Sequence, residues 1–288
     1  MKKLTKIRVG GVPEHFNLPW KLAIENKLFE KEGIEIEWTV FNGGTGQMTK
    51  ALRNKEIDVC ILLTEGIVSD IVKGNPSKII GKYLNTPLIW GVYTGIKNPI
   101  KHYGEIYNST YGISRFSSGS HLMPIVDANS KGLKIKESQF KIIKNLGGAL
   151  ESLTELETDA FYWEKYTTKP YVDNGTLKHL GDYITPWPCF MIAATDSIIE
   201  KEKETLQKLL KVIYFTNKQF MTSLTAISEV SKRYNQKLED VENWFHATEW
   251  STDSEVSEKM LHNVLHTLRY SGIIEGKPSL ESLVDKLD

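Results

Sequence analysis

The residues best able to do chemistry in this chain sit where apolar runs stop. Glu65 follows IDVCILL and Glu164 follows TDAFYW, at equivalent places in two similar stretches. A carboxylate after a buried strand must face water, a partner or a ligand. The competing reading is a favourable seat in the first turn of the next helix. Gly44-Thr45-Gly46 and Ser117-Ser118-Gly119-Ser120 are Gly-containing turns that feed helices. Free backbone N–H groups and the helix dipole suit such turns to an anion, and simple capping by Thr45, Ser117 or Ser118 is the alternative. Arg115 either grips an anionic ligand bidentately or pairs with Glu164. Glu14, His15 and Phe16 follow the first apolar run. Trp90, Trp163, Trp187, Phe16 and Phe116 lie near turns, where they either stack on a ligand or pack in the core.

Catalytic signatures are weaker. GGTGQMTK lacks the Gly-Lys-Ser/Thr ending of a P-loop and matches only part of a dinucleotide fingerprint. The chain holds no G-x-S-x-G elbow, no H-E-x-x-H and no paired C-x-x-C. Ser120 and His121 are adjacent in sequence, poor geometry for a nucleophile and its base. His262 and His266 share one helix face and read as solvated. The expectation is a protein without catalytic residues, metal or cofactor.

The elements that position these residues are given by a repeat. Residues 7–63 and 110–163 each read strand, polar loop, helix closed by Gly, strand, short helix, strand. Gly33 recurs with Gly132, Gly43-Gly44 with Gly147-Gly148, and Asp58 with Asp159. Such a repeat predicts two parallel-sheet α/β lobes whose loops meet across a cleft, with ligand at the strand carboxyl ends. A single doubly wound sheet is the alternative. IEIEWTV alternates, as an edge strand buried on one face does, whereas IDVCILL is apolar throughout, as a central strand is. Gly91, Gly95 and Pro99 predict a first crossover at Gly91–Gly95, and Pro186 and Pro188 a second at Trp187–Cys189. The domains then run 1–92 plus 188–240 for the first lobe, 93–187 for the second, and 241–288 for C-terminal helices packing on the first. A capping box at Thr252-x-x-Glu255 predicts the last helix start.

Composition sets the outer bounds. The chain has 288 residues, with 36 basic and 36 acidic side chains balancing to zero net charge. No basic excess points to nucleic acid, and no apolar run reaches a membrane span. Cys60 and Cys189 both lie in strand-like apolar stretches, which suits buried thiols in a reduced compartment. MKKLTKIRVGG carries no secretory apolar segment, so a cytoplasmic location is expected, or a periplasmic one after removal of a signal.

EHFNLPWKLAIENKLFEKEGIEIEW, NGGTGQMTKALRNKEIDVCI and LTEGIVSDIVKGNPSKIIG resemble the substrate-binding proteins of type II periplasmic-binding fold. Within these, the sequence is similar to the alkanesulfonate-binding and thiamine-pyrimidine-synthase-like branch. WGVYTG, GISRFSSGSH, FYWEKYTTKPYVD and TPWPCFMIAA look closer still to a small subgroup of gut bacteria and yeasts. The resemblance spans roughly residues 5–200. It implies two lobes on a two-stranded hinge, with ligand contacts from Glu14, His15, Gly44, Thr45, Glu65, Ser117, Ser118, Ser120, Trp163 and Glu164. The synthase branch would place its lysine near Leu62, its histidine near Gly66 and its cysteine cluster at Pro186–Phe190. Here only Cys189 remains of these, which argues against that activity. The resulting reading is a small-molecule-binding protein that closes on a sulfonate- or pyrimidine-like ligand. Glu65 and Glu164 favour an amine or aminopyrimidine donor, while Arg115 and the Ser loop favour a sulfonate, carboxylate or phosphate. The alternative is an enzyme of thiamine-pyrimidine-precursor biosynthesis on the same fold. The chain gives no independent support for a transporter partner.

Overall fold

The structure, a computed structural model, describes residues 4–287. β1 (Thr5–Gly11), β2 (Ile34–Val40), β3 (Val59–Leu63) and β4 (Ser77–Lys82) open a first sheet, with α1 (Leu18–Glu25), α2 (Leu28–Lys31), α3 (Thr45–Arg53) and α4 (Thr64–Val72) between them. The chain crosses into a second sheet through β5 (Ile89–Gly95), β6 (Tyr111–Ile113), β7 (Phe140–Ile142), β8 (Ala160–Glu164) and β9 (Leu177–Ile184). α5 (Gly119–Ser130), α6 (Leu146–Thr154) and α7 (Lys165–Asp173) connect these strands. It then returns as β10 (Phe190–Thr195) to the first sheet. The sheet orders are β2-β1-β3-β10-β4 and β7-β6-β8-β5-β9. They are one pattern twice: three parallel strands, then one antiparallel strand supplied directly after a crossover, then a last strand.

The repeat is therefore structural, and its landmarks have physical roles. Asp58 Oδ2 accepts from Arg8 N at 2.9 Å, and Asp159 Oδ2 accepts from Thr110 N at 2.9 Å. Each carboxylate satisfies a backbone donor at the first strand of its repeat, β1 and β6. Gly33 and Gly132 both take positive φ, 82° and 71°, where a side chain would be strained. β2 lies at a sheet edge with alternating burial, and β3 is buried throughout. Both follow from their apolar patterns.

The first lobe boundary differs from the sequence expectation. β5 belongs wholly to the second sheet, so the first crossover is residues 83–88 and not Gly91–Gly95. The glycines mark close approaches instead of a break. A Cβ on Gly95 would stand 2.3 Å from the Leu153 carbonyl oxygen, and one on Gly91 would stand 1.9 Å from the Tyr93 hydroxyl. The second crossover, residues 185–189, contains Trp187 and Cys189. The two crossovers pair as a two-stranded hinge: Thr185 N donates to Leu88 O at 3.1 Å and Cys189 N to Thr86 O at 3.0 Å. Cys60 and Cys189 are buried free thiols.

α8 (Asp196–Met221), α9 (Ala226–Tyr234), α10 (Leu238–His246) and α11 (Glu258–Tyr270) follow β10. The stripe Leu206, Leu209, Leu210, Ile213 and Phe220 of α8 is buried, as its helical spacing requires. α11 starts six residues after Thr252, capped by Ser257 through Met260 N at 3.3 Å. Glu255 N is bonded to Asp253 Oδ1 in the preceding turn, which uses up the predicted capping box. These helices serve both lobes. α11 packs on α4 and also meets α5, and α10 meets α7. Lys169 on α7 reaches Asp240 on α10 at 3.3 Å, and Lys237 pairs with Asp173. The apolar faces that cover the first lobe thus leave charged ends to bridge to the second. No helix among the described residues is long and apolar enough to cross a membrane.

Candidate functional site

Between the lobes lies a cleft of about 550 Å³. Helix N-termini from both lobes open onto it, because strands β2, β6, β7 and β8 all end at its rim. From the first lobe come Glu14, His15 and the turn Asn42-Gly43-Gly44-Thr45. From the second come Ser114, the turn Ser118-Gly119-Ser120, the turn Asn145-Leu146-Gly147, and Trp163-Glu164. Trp90 closes the floor near the hinge, its indole N–H donating to Thr185 Oγ1 at 2.9 Å.

The two Gly-containing turns are braced internally. Gly44 is the N-cap of α3 at φ 67°, and Thr45 Oγ1 accepts from Leu63 N at 3.1 Å. That bond ties the turn to the end of β3. In the Ser loop, Ser120 Oγ accepts from Ser114 N at 3.0 Å, Ser118 Oγ donates to Arg115 O at 2.7 Å, and the two hydroxyls lie 3.0 Å apart. Ser118 stands at the N-cap position of α5 without a side-chain capping bond. The hydroxyls therefore shape the turn, and Gly119 and Ser120 follow as the first two residues of α5, whose N–H groups have no acceptor within the helix.

The carboxylates differ in their partners. Glu164 is the N-cap of α7: Oε1 accepts from Tyr166 N at 3.1 Å, and Oε2 from Thr167 N and Thr167 Oγ1 at 2.7 Å each. Burial raises its pKa against those hydrogen bonds. Glu14 has no capping bond. It is half-buried by exposed area, and that exposure is to the cleft, enclosed on both sides by protein. Loss of water there, reinforced by Glu164, pushes it up to about 8. Beside it, burial among Phe16, Tyr234 and Trp244 pushes His15 down to about 3, so its ring is neutral.

The remaining predicted site residues lie off the cleft wall. Phe16 is core, packed on Phe190 and Trp244. Glu65 is fully buried behind the wall. Trp187 Nε1 donates to its Oε2 at 2.9 Å, and burial pushes it up to about 7. Arg115 neither pairs with Glu164 nor lines the cleft. Its guanidinium crosses to the first lobe and lies on Gly43, where a Cβ would stand 1.9 Å from Nη2. Ser117 turns away at φ 64° and donates its N–H to His121 Nδ1 at 3.1 Å. His121 in turn packs between Phe116 and Phe140.

Sequence reasoning missed a third wall. Tyr234, Asn235 and Gln236, between α9 and α10, cover one side of the cleft. Asn235 holds the left-handed conformation at φ 50° that lets the chain turn there. Nothing in their residue types marks them as cleft residues. Asn42 and Asn145 were also missed, although each precedes the Gly-Gly pair of its repeat and so carried a signal.

The chain has the two-lobe α/β fold of the periplasmic binding proteins. The Ca3427-like PBP family model matches residues 90–183. The Candida albicans CA3427 gene product, described as exhibiting the generic periplasmic binding protein fold, is 25% identical over 98% of this chain and 97% of its own, with a TM-score of 0.92. The alkanesulfonate-binding protein SsuA from Xanthomonas axonopodis pv. citri, bound to MOPS, has a TM-score of 0.81 at 12% identity, covering 96% of each chain. The periplasmic aliphatic sulphonate binding protein SsuA from Escherichia coli has a TM-score of 0.69 at 15% identity, covering 97% of each. No curated protein is similar enough in sequence to count as a match.

Proposed function

We propose that this protein binds one small polar molecule in the cleft and closes its lobes over it. The observation that carries this reading is the cleft itself, about 550 Å³, walled by turns from both repeats and joined by a paired two-stranded hinge. Pockets of this size hold metabolite-sized ligands, and a two-strand hinge permits rigid-body closure. Sulfonate-like and pyrimidine-like ligands are the two chemistries the sequence raises. The backbone N–H groups at Gly119 and Ser120 suit an acceptor on the ligand, and Glu14 and Glu164 suit a donor. Binding without turnover is favoured over biosynthesis, because Leu62 and Gly66 stand where the synthase branch has its lysine and histidine.

Native mass spectrometry after incubation with a low-molecular-mass cell extract tests the proposal. One small molecule retained per chain and released chemically unchanged is expected. Release of an altered molecule would favour the biosynthetic reading, and a bare chain after incubation would contradict binding.

A further inference from the structure

We infer that the cleft selects a small organic cation, its protonated N–H groups held by Glu14 and Glu164 against an aromatic wall. This rests on the binding reading above and names the class of ligand.

Charge is the first ground. Among the described residues two carboxylates line the cleft, one from each lobe, and no lysine or arginine does. Arg115, beside the Ser loop, is turned onto the first lobe, its guanidinium on Gly43 and its stem on Gly46. His15 is neutral, so it adds no positive charge. Glu164 already satisfies α7, whereas no protein donor reaches the Glu14 carboxylate among the described residues. Closure brings two like charges toward each other, and a cation between them removes that repulsion. The N-termini of α3 and α5 carry only about half a charge each. They serve an uncharged acceptor at the far end of the ligand.

The unpartnered atoms point the same way. His15, Tyr234 and Gln236 line the cleft, and behind its surface His15 Nε2, Tyr234 Oη and Gln236 Oε1 are buried without a hydrogen-bond partner. All three can accept a hydrogen bond. A buried acceptor left unmade is costly, and small shifts of these side chains on closure would let N–H groups of a cation reach them. The aromatic wall completes the match. Trp163 is stacked on Phe161 at 5.2 Å and half-buried at the cleft wall, with Tyr171 also lining it, whereas the Tyr234 ring already carries Lys21 Nζ at 5.2 Å. Aromatic faces attract cations through the ring quadrupole.

Three probes of one shape separate the possibilities: benzamidinium, benzamide and benzenesulfonate. Each is titrated by calorimetry above pH about 8, where Glu14 is ionised. Benzamidinium should bind at least about tenfold more tightly than benzamide, and benzenesulfonate more weakly than either. Glu14→Gln should erase the benzamidinium advantage, with melting temperature measured alongside to show that the fold is kept. Equal benzamidinium binding by Glu14→Gln overturns the inference. Preference for benzenesulfonate overturns it too, while leaving the binding reading intact. Binding of none of the three overturns the ligand class, and the retained molecule seen by native mass spectrometry then judges the binding reading on its own.

Discussion

The guanidinium of Arg115, carried by the second lobe, lies against Gly43 in the first, with Gly46 against its side-chain stem. A Cβ at either glycine would collide with it, at 1.9 Å and 2.8 Å. Burial lowers the Arg115 pKa, and its Nη1 has no partner. The contact is one of shape, available only while both positions lack side chains.

Gly43→Ala should push the flexible Arg115 head aside without disturbing the backbone. Ligand release should quicken several-fold, while the melting temperature changes little. In an Arg115→Ala background the same substitution should have no further effect. Additive effects in stopped-flow release would show that Gly43 acts through something other than Arg115.

Asp127 is fully buried in the second lobe, beneath a ring of donors. The hydroxyls of Tyr103, Tyr107 and Tyr162 donate to its Oδ2 at 2.7, 2.9 and 2.6 Å, and Lys131 pairs with Oδ1. Asp127→Ala leaves those donors and an ammonium without an acceptor. A loss of about 3–5 kcal/mol is expected by denaturant titration. The cluster does not line the cleft, so in the folded fraction the retained ligand should be unchanged. A loss under about 1 kcal/mol would mean that water replaces the carboxylate.

Much of this layout was legible because it rests on period and repetition. The IEIEWTV alternation, the unbroken IDVCILL run and the paired landmarks Asp58 and Asp159 each follow from one local rule, and the structure keeps them. The hinge position was misread because Gly91 and Gly95 look like punctuation. Whether a glycine breaks a strand or admits Tyr93 and Leu153 depends on neighbours distant in sequence. Arg115 and Glu65 were drawn to the cleft by their position after strands. The direction of a long side chain is set by tertiary packing, here by the Gly43 surface and the Trp187 indole. The Tyr234–Gln236 wall had no local signature, since only the return of the C-terminal helices brings it to the cleft.

Glu65 should make stability depend on pH. An acid held above its ordinary range stabilises the fold while protonated. Its contribution is present below about pH 4.5 and is lost as pH rises through about 7. Tyr183 and Cys189 face it, and neither supplies a compensating cation. Glu65→Gln should therefore gain on the wild type between those two values, by roughly 1–3 kcal/mol. Parallel melting curves across that range would show that the wild-type carboxylate is solvated.

Glu14 should make cation binding depend on pH in the opposite sense. The charged carboxylate is the binding form, and its pKa is raised to about 8. Benzamidinium affinity should rise about tenfold per pH unit below that value and level off above it. Glu164, the Tyr234 hydroxyl and the Cys189 thiol surround Glu14, and none of them brings a positive charge. Calorimetry in two buffers should show about one proton released per ligand at neutral pH. A flat profile would place the cation elsewhere.

Closure of the two lobes over a ligand is most directly tested by a distance. Both native thiols are buried and their pKa values raised, so spin labels will go to cysteines placed at Lys50→Cys in the first lobe and Lys144→Cys in the second. Both positions are exposed, Lys50 on α3 and Lys144 in the turn between β7 and α6. Pulsed electron resonance should give a broad distribution of distances for the chain stripped of small molecules. After incubation with the cell extract it should collapse to one shorter, narrow peak. The same distribution with and without the extract, at a ligand occupancy confirmed by mass spectrometry, would contradict the account.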